Sequence, residues 1–527
     1  ASTEPEYLLR YEGISLFVER ARAASAGFAL TARNAPAVVQ ICSQLDSMPL
    51  AIELAAARAR HMPVETIAAR LNDRFSLLKG GSYPTPRQQH LRTAIDWSHA
   101  LLGEDEQSCF RRLAVFAGGF TLQAAEGIAG TPGNLDTVEL LAQLIDKSLL
   151  VAEQHPEGLR YRLLETMRAY AREQLLQSGD AETIHNRHAA FFQRLAEQAE
   201  TQFVGDSQIA WLDQIAAEHA NMRAAVDWAT EHGGTLAALR LVTALRYFWR
   251  VRGFYAEGID LLGELLAHPG TAGNTTVRAR ALNAAGYLEF VRGQQARARE
   301  LLETALAIGR AQADLPISAF ALRYLSALAN AQGQLDQARA CGEESLAIYR
   351  ALGASNDIAG TAMYLGDIVL AQGDDDRAEA LYAESVALLR THRNSIALPY
   401  PLRHLGYLAL RRGQPARAAA LCEESLRLNL AVSDQQGVAA CLVGLAAASA
   451  ASGHVEQAGR MLGHAEGVLG TLQSQLLPFD RAQHDQLRAM LAERLGSSAL
   501  LAAASAGQAM AIDQLLGEAA PATESVA

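Results

Sequence analysis

The sequence predicts a predominantly all-α protein whose second half is an α-solenoid of helix pairs. Three observations carry that prediction. Half of the 527 residues are apolar and a fifth are charged, so the chain has ample material for packed cores. Aromatics make up only 6 % while alanine is abundant, which favours closely packed helices over β-sandwiches. Glycines recur at Gly253, Gly293, Gly333, Gly373, Gly413 and Gly453, a constant spacing of 40. Five residues after five of them stands an alanine, Ala298, Ala338, Ala378, Ala418 and Ala458, with Gly258 in that place in the first unit. At about 150 residues per domain, the length allows three or four domains.

Taken in order, residues 1–100 read as a helical domain. Apolar residues fall at helical spacing over 14–30, a second helix begins over 34–45, and Pro49 stands just inside the start of a strong helix-forming run. Residues 101–165 read as three short helices followed by two strands, 149–152 and 159–163, joined through Pro156-Glu157-Gly158. A helical connector covers 166–235, six 40-residue units cover 236–472, and helices and a polar tail close the chain over 473–527. In each unit the glycine ends the first helix without steric penalty, and the small residue sits where one helix crosses its neighbour. Such units cannot bury their apolar faces alone and must stack.

The 40-residue units resemble tetratricopeptide repeats. Leu365-Gly366, Gly373, Ala378 and Leu405-Gly406, Gly413, Ala418 match that family's small-residue positions, although its period is about 34. The extra length is expected in the second helix and the loop after it. If the first helices line a concave surface, as in the repeats they resemble, that surface displays Arg240, Tyr247, Arg250, Arg280, Asn283 and Tyr287. It continues through Phe290, Arg323, Asn330, Tyr400, Arg403, Tyr407 and Arg411. Arginine with tyrosine suits carboxylates, phosphates or peptide segments, so a protein or anionic ligand is the expected occupant of the groove. Charge reversal at Arg250, Arg323 and Arg403 is expected to abolish its capture. Arginine as the default cation of the chain, in a helix register off by one, explains the same pattern.

A second resemblance spans nearly the whole chain and is densest between residues 14 and 171. The segment from Leu45 to Arg58, with Asp46, Pro49-Leu50-Ala51-Ile52-Glu53-Leu54 and three alanines, is similar to a segment of bacterial STAND-class signal-transduction ATPases, relatives of the NB-ARC proteins. Matches continue in order at Arg87-Gln88-Gln89, Ile95-Asp96-Trp97-Ser98, Val115 to Leu122, Lys147-Ser148-Leu149-Leu150 and Tyr161 to Arg168. The resemblance implies that 1–100 follows a nucleotide-binding core, that Pro49 packs on the adenine side, and that 101–165 is a winged helix. It further implies a transcriptional regulator whose solenoid receives a signal. Ser47 replaces the usual glycine, and Leu163, Leu164 and Glu165 stand where a phosphate-sensing Met-His-Asp is expected.

No glycine-rich turn ending in Lys-Ser/Thr is present, because the chain has only two lysines, and neither Lys79 nor Lys147 follows a G-x-x-x-x-G. The expectation is therefore a sensor and regulatory half, not an enzyme, with ATP or ADP and magnesium bound only if a separate nucleotide-binding domain belongs to a longer form. That form would be a nucleotide-dependent homo-oligomer. The rival reading is a standalone scaffold indifferent to nucleotide. The chain opens on Ala1 and not on methionine, as one piece of a longer protein would.

Other chemistries find little support. The net charge of -11 argues against coating nucleic acid. The expected recognition helix, Thr137 to Lys147, offers one lysine beside Glu139 and Asp146, so direct DNA binding by this chain is not expected. Five scattered cysteines without a C-x-x-C pair form neither a disulfide framework nor a zinc ribbon. His185 and His188 share a helical face with Glu182 one turn earlier, but exposed, solvated histidines are the expectation and no metal is assigned. Trp211, Trp228 and Trp249 are expected in the core, and Asp374-Asp375-Asp376 is expected to start a helix. With no leader and no apolar stretch long enough for a bilayer, a cytoplasmic location without membrane contact is expected.

Overall fold

The computed structural model describes residues 5–25, 27–45, 49, 52, 55–56, 59, 62–70, 99–100, 102–130, 136–147, 149–155, 158–273, 275–472 and 474–517. It divides into two compact units, 1–191 and 192–527. The fold is predominantly α-helical, with a small winged helix in the first unit and a solenoid of tetratricopeptide-like pairs in the second.

In the first unit, helices Glu12–Ala24 and Ala35–Gln44 bury Phe17, Val18, Val38 and Ile41 against Ile52, Ala55 and Ala56 of the alanine-rich run. The winged helix follows with helices Glu104–Arg112, Leu122–Ile128 and Thr137–Asp146. Strands Val151–His155 and Gly158–Arg162 pair antiparallel, with Ala152 opposite Tyr161, and Phe120 adds a bridge to Tyr161. The Phe116 and Phe120 rings stack at 4.3 Å beneath that sheet. His188, expected to be solvated, is instead 1 % exposed and lies edge-on to Phe116, because its helix turns that face inward. Among the described residues no cluster of three metal-ligating side chains occurs.

The second unit holds the repeats. Their first helices include Thr276–Arg292, Leu315–Ala331, Ser355–Ala371, Pro399–Arg411 and Gln435–Ala451. The second helices include Tyr255–Ala267, Gln295–Ala311, Leu335–Leu352, Asp375–Thr391, Pro415–Ala431 and Val455–Leu472. In the pairs 276–311, 315–352 and 355–391 both helices have 17 or 18 residues, so the added length is shared and does not fall on the second helix alone. All six recurring glycines have φ between 71° and 95°. At Gly293 the 5→2 and 6→1 bonds of a Schellman turn are both formed, to Phe290 and Glu289. The five recurring alanines are fully buried. At Gly258 a Cβ would stand 2.7 Å from the Trp249 ring, which is why no alanine is found there. Trp249 is core, whereas Trp211 and Trp228 are only half-buried, Trp228 stacking on His232 at 3.4 Å.

The turns between pairs show a second 40-residue series that composition conceals. Gly233, Gly273, Ala313, Gly353, Arg393 and Ser433 all have positive φ, from 50° to 109°. Only three of these six are glycine, so half of the turns carry a side chain in a left-handed conformation that costs about 1–2 kcal/mol. Ala313→Gly should therefore raise stability by about 1 kcal/mol, and Gly373→Ala should lower it by a similar amount. Urea denaturation checks both, and shifts of the same sign in the two variants would contradict the turn geometry.

The echoes Glu344-Ser345-Leu346 and Glu424-Ser425-Leu426 also acquire a physical reason. Arg310, Arg350 and Arg390 each reach the glutamate 34 residues on, Glu344, Glu384 and Glu424, at 2.8–2.9 Å. Ser345 and Ser425 donate to the carbonyls of Ala319 and Pro399 at 2.8 Å. The ion pairs join successive pairs but are exposed and contribute little each, about 0.2–1 kcal/mol, whereas the buried serines fix the approach of the two helices within a pair.

Candidate functional site

The solenoid bends until its first pair meets its sixth. Arg250, on helix Arg246–Val251, donates from Nη1 to Asp434 Oδ2 at 2.7 Å, and both side chains are about 2 % exposed or less. Beside them Tyr255 donates to Gln436 Oε1 at 3.4 Å, and Gln436 Nε2 donates to the Val291 carbonyl at 3.1 Å. On the other rim Gln208 Nε2 donates to the Arg393 carbonyl at 2.8 Å, and its Oε1 accepts from Ile396 N–H at 3.1 Å. The repeats thus surround an interior instead of facing an open groove.

Part of that interior is filled by the chain itself. Before helix Pro478–Leu495, the Gln475 carbonyl accepts from Gln436 Nε2 at 2.6 Å and Leu476 is buried. Phe479 stacks on His404 at 4.1 Å and meets Tyr407 edge-on at 5.8 Å. Asp480 accepts two bonds from Arg403, Nε at 2.6 Å and Nη2 at 2.8 Å, with both side chains 1 % exposed.

What remains is a cavity of about 210 Å³. Five tyrosines, Tyr247, Tyr287, Tyr324, Tyr364 and Tyr400, line it. The rings of Tyr287, Tyr324 and Tyr364 form a continuous run, with centroids 5.0 and 5.7 Å apart. Burial pushes the Tyr324 hydroxyl up to about 12 and raises Tyr287 and Tyr364 as well, so these phenols are neutral at physiological pH. Arg246, Arg250 and Arg323 join them. Arg246 is paired with Glu200, and Arg323 Nη1 reaches Asp357 Oδ1 at 3.0 Å.

These positions redistribute the residues expected on the concave surface. Tyr247, Arg250, Tyr287, Arg323 and Tyr400 do converge on the cavity, and Phe290 packs behind Tyr324 at 5.5 Å. Arg250 and Arg403 are not exposed to a macromolecular partner, because each is buried against an aspartate of the same chain. Charge reversal there would disrupt the interior before any ligand could be tested, which corrects that design. Arg240 and Arg280 are half-exposed and paired with Glu197 and Glu200, and Arg411 is paired with Asp375. Asn283 is buried and donates to the Ile317 carbonyl at 3.0 Å. Tyr407 is buried against Phe479, and Asn330 is half-buried outside the cavity lining. Pro49 is helical and exposed. Sequence reasoning missed Tyr324, Tyr364 and Arg246. Tyr324 and Tyr364 are themselves 40 apart, a signal that could have found them.

The winged helix has its own electrostatics. Lys147, just after helix Thr137–Asp146, is salt-bridged at 2.5 Å to Glu106, whose Oε2 also accepts from the Gly103 N–H at 2.7 Å. The lone lysine of this element is therefore already engaged.

Residues 102–176 match the family model of the winged helix-turn-helix domain, and residues 317–391 match that of the tetratricopeptide repeat. The chain carries a winged helix-turn-helix domain and tetratricopeptide repeats. It is 43 % identical over 266 residues to a protein of Mycobacterium tuberculosis (strain H37Rv) named "Putative HTH-type transcriptional regulator", covering 50 % of this chain and 30 % of the relative. An uncharacterised protein of the same strain is 42 % identical over 188 residues, covering 35 % of this chain and 48 % of that one. The matched part thus spans about a third to a half of the length of these curated relatives. Among solved structures, a STAND protein with a tetratricopeptide repeat sensor from Pyrococcus horikoshii aligns with TM-score 0.44 and 13 % identity, covering 96 % of this chain and 74 % of that one. A Rap protein complexed with competence and sporulation factor aligns with TM-score 0.43 and 14 % identity, covering 64 % and 97 %. Among the described residues no helix is long and apolar enough to cross a membrane.

Proposed function

We propose that this chain is the sensor and regulatory part of a transcriptional regulator of the STAND type, in which the solenoid receives a signal and the winged helix relays it. The observation that carries this reading is the 43 % identity over 266 residues to proteins named as HTH-type transcriptional regulators. The repeat interior adds a place for an effector, and the acidic winged helix with its engaged lysine favours a packing role over DNA contact by this chain. The chain itself performs no catalysis. Nucleotide with magnesium, and nucleotide-dependent assembly, belong to a longer form in a cytoplasmic setting. A scaffold that binds a protein partner without nucleotide is the second reading, favoured by the tetratricopeptide repeats alone.

Two measurements decide. Deletion in the source cell, followed by transcript profiling, is expected to change a discrete set of transcripts. An unchanged transcriptome across growth conditions would reject the regulator. An immunoblot against the solenoid is expected to show a species larger than 56.5 kDa by a domain or more. A species at the chain's own mass would move the scaffold reading ahead.

A further inference from the structure

The cavity inside the repeats is a built polar site with hydrogen-bond donors left over. Arg323 is 3 % exposed and Arg250 2 %. Each is anchored by one edge only. Arg250 uses Nη1 for Asp434 and the Tyr400 hydroxyl, leaving its buried Nη2 without an acceptor. Arg323 uses Nη1 for Asp357, leaving its buried Nε without one. A buried charged N–H with no acceptor is costly unless something in the cavity accepts from it. Both guanidinium groups line the same cavity, about 210 Å³ in volume.

Its shape and charge limit what that something is. At about 210 Å³ the cavity is smaller than the roughly 300–1,000 Å³ of drug-sized sites, so the group that it takes in is small. Water occupies about 30 Å³ per molecule in the liquid, so the cavity holds on the order of seven waters or one small organic molecule. The run of Tyr287, Tyr324 and Tyr364 rings supplies flat apolar walls for a planar body. Arg246, Arg250 and Arg323, with Arg280 sharing Glu200, face three carboxylates, Glu200, Asp434 and Asp357. The site therefore has donors to spare and one positive charge in excess, which matches the single delocalised charge of a carboxylate better than the double charge of a phosphate monoester.

We propose that the repeat interior is an effector site for a small aromatic monocarboxylic acid, its carboxylate on the free N–H of Arg323 or Arg250 and its ring among the tyrosines. This rests on reading the solenoid as the sensor of a regulator, and it names the chemical class of the effector.

Isothermal titration calorimetry of the full chain with benzoate, 4-hydroxybenzoate, cinnamate and indole-3-acetate tests it. At least one acid should bind, and its amide, together with cyclohexanecarboxylate or the matching aryl phosphate, should bind at least tenfold more weakly. Ala397→Phe fills the cavity without touching an ion pair and should abolish binding while the helical circular dichroism stays unchanged. Arg323→Met leaves only the half-exposed Asp357 behind, and Arg250→Lys keeps a charge for Asp434; at least one of them should weaken binding tenfold or more. Failure of all four acids to bind would overturn the proposal and leave ordered water as the acceptor. Equal binding of acid and amide, or undiminished binding by Ala397→Phe, would overturn it too. The transcript profile decides the regulator reading separately, because it does not depend on which ligand binds.

Discussion

Asp434→Ala is expected to destabilise the solenoid by about 3–5 kcal/mol, because it strands the buried Arg250 guanidinium without its counter-charge. The loss has two parts that can be separated. Asp434 also caps helix Gln435–Ala451, its Oδ1 accepting from the Gly437 N–H at 3.0 Å. Three units earlier, Asp314 does the same for helix Leu315–Ala331 through the Ile317 N–H at 3.2 Å. Asp314→Ala should therefore report the cap alone, about 1 kcal/mol. Asp434→Asn keeps a capping oxygen and removes the charge, so it should remain nearly as damaging as Asp434→Ala. Urea denaturation gives the totals, and hydrogen exchange should show the loosening concentrated in helices Arg246–Val251 and Gln435–Ala451. If Asp434→Ala costs no more than Asp314→Ala, the ion pair contributes nothing to holding the first pair against the sixth.

That contact marks where the sequence stops being informative. The repeat was legible because it rests on local physics. A glycine is favoured where φ turns positive at the end of a helix, and a small residue is required where helices cross closely, so both leave a mark every 40 residues. The second series of turns was hidden because Ala313, Arg393 and Ser433 tolerate the same backbone at a cost, and composition does not record strain. The concave residues were legible in kind but not in role. Helix spacing puts Arg250 and Arg403 on the inner face, yet nothing local says that Asp434 and Asp480, 184 and 77 residues away, will meet them. Curvature decides that, and curvature depends on the summed angles between successive pairs. The winged helix was legible for the opposite reason, since its three helices and hairpin are close in sequence.

The pair between Arg403 and Asp480 is expected to be the second large effect, again about 3–5 kcal/mol on Asp480→Ala. Its consequence differs from that of the Arg250 contact, because Asp480 belongs to a segment that enters the repeat interior and not to a repeat. Asp480 and Phe479 together hold that segment on the face of helix Pro399–Arg411, one by a two-pronged bond and the other by stacking on His404. Leu477, from the same segment, lines the central cavity. Releasing the segment should therefore unpack helix Pro478–Leu495 and open one wall of the cavity. Hydrogen exchange should then rise across 474–495 and remain low in the outer helices Gln295–Ala311 and Leu335–Leu352. Replacing both charges together, Arg403→Met with Asp480→Leu, removes the stranded cation and should recover most of the lost stability. Recovery of stability without recovery of protection across 474–495 would mean that the ion pair specifies where the segment docks. Recovery of both would mean that Phe479 and Leu476 place it and that the charges only add strength. Unchanged exchange across 474–495 in Asp480→Ala would show that the segment is held by its apolar contacts alone.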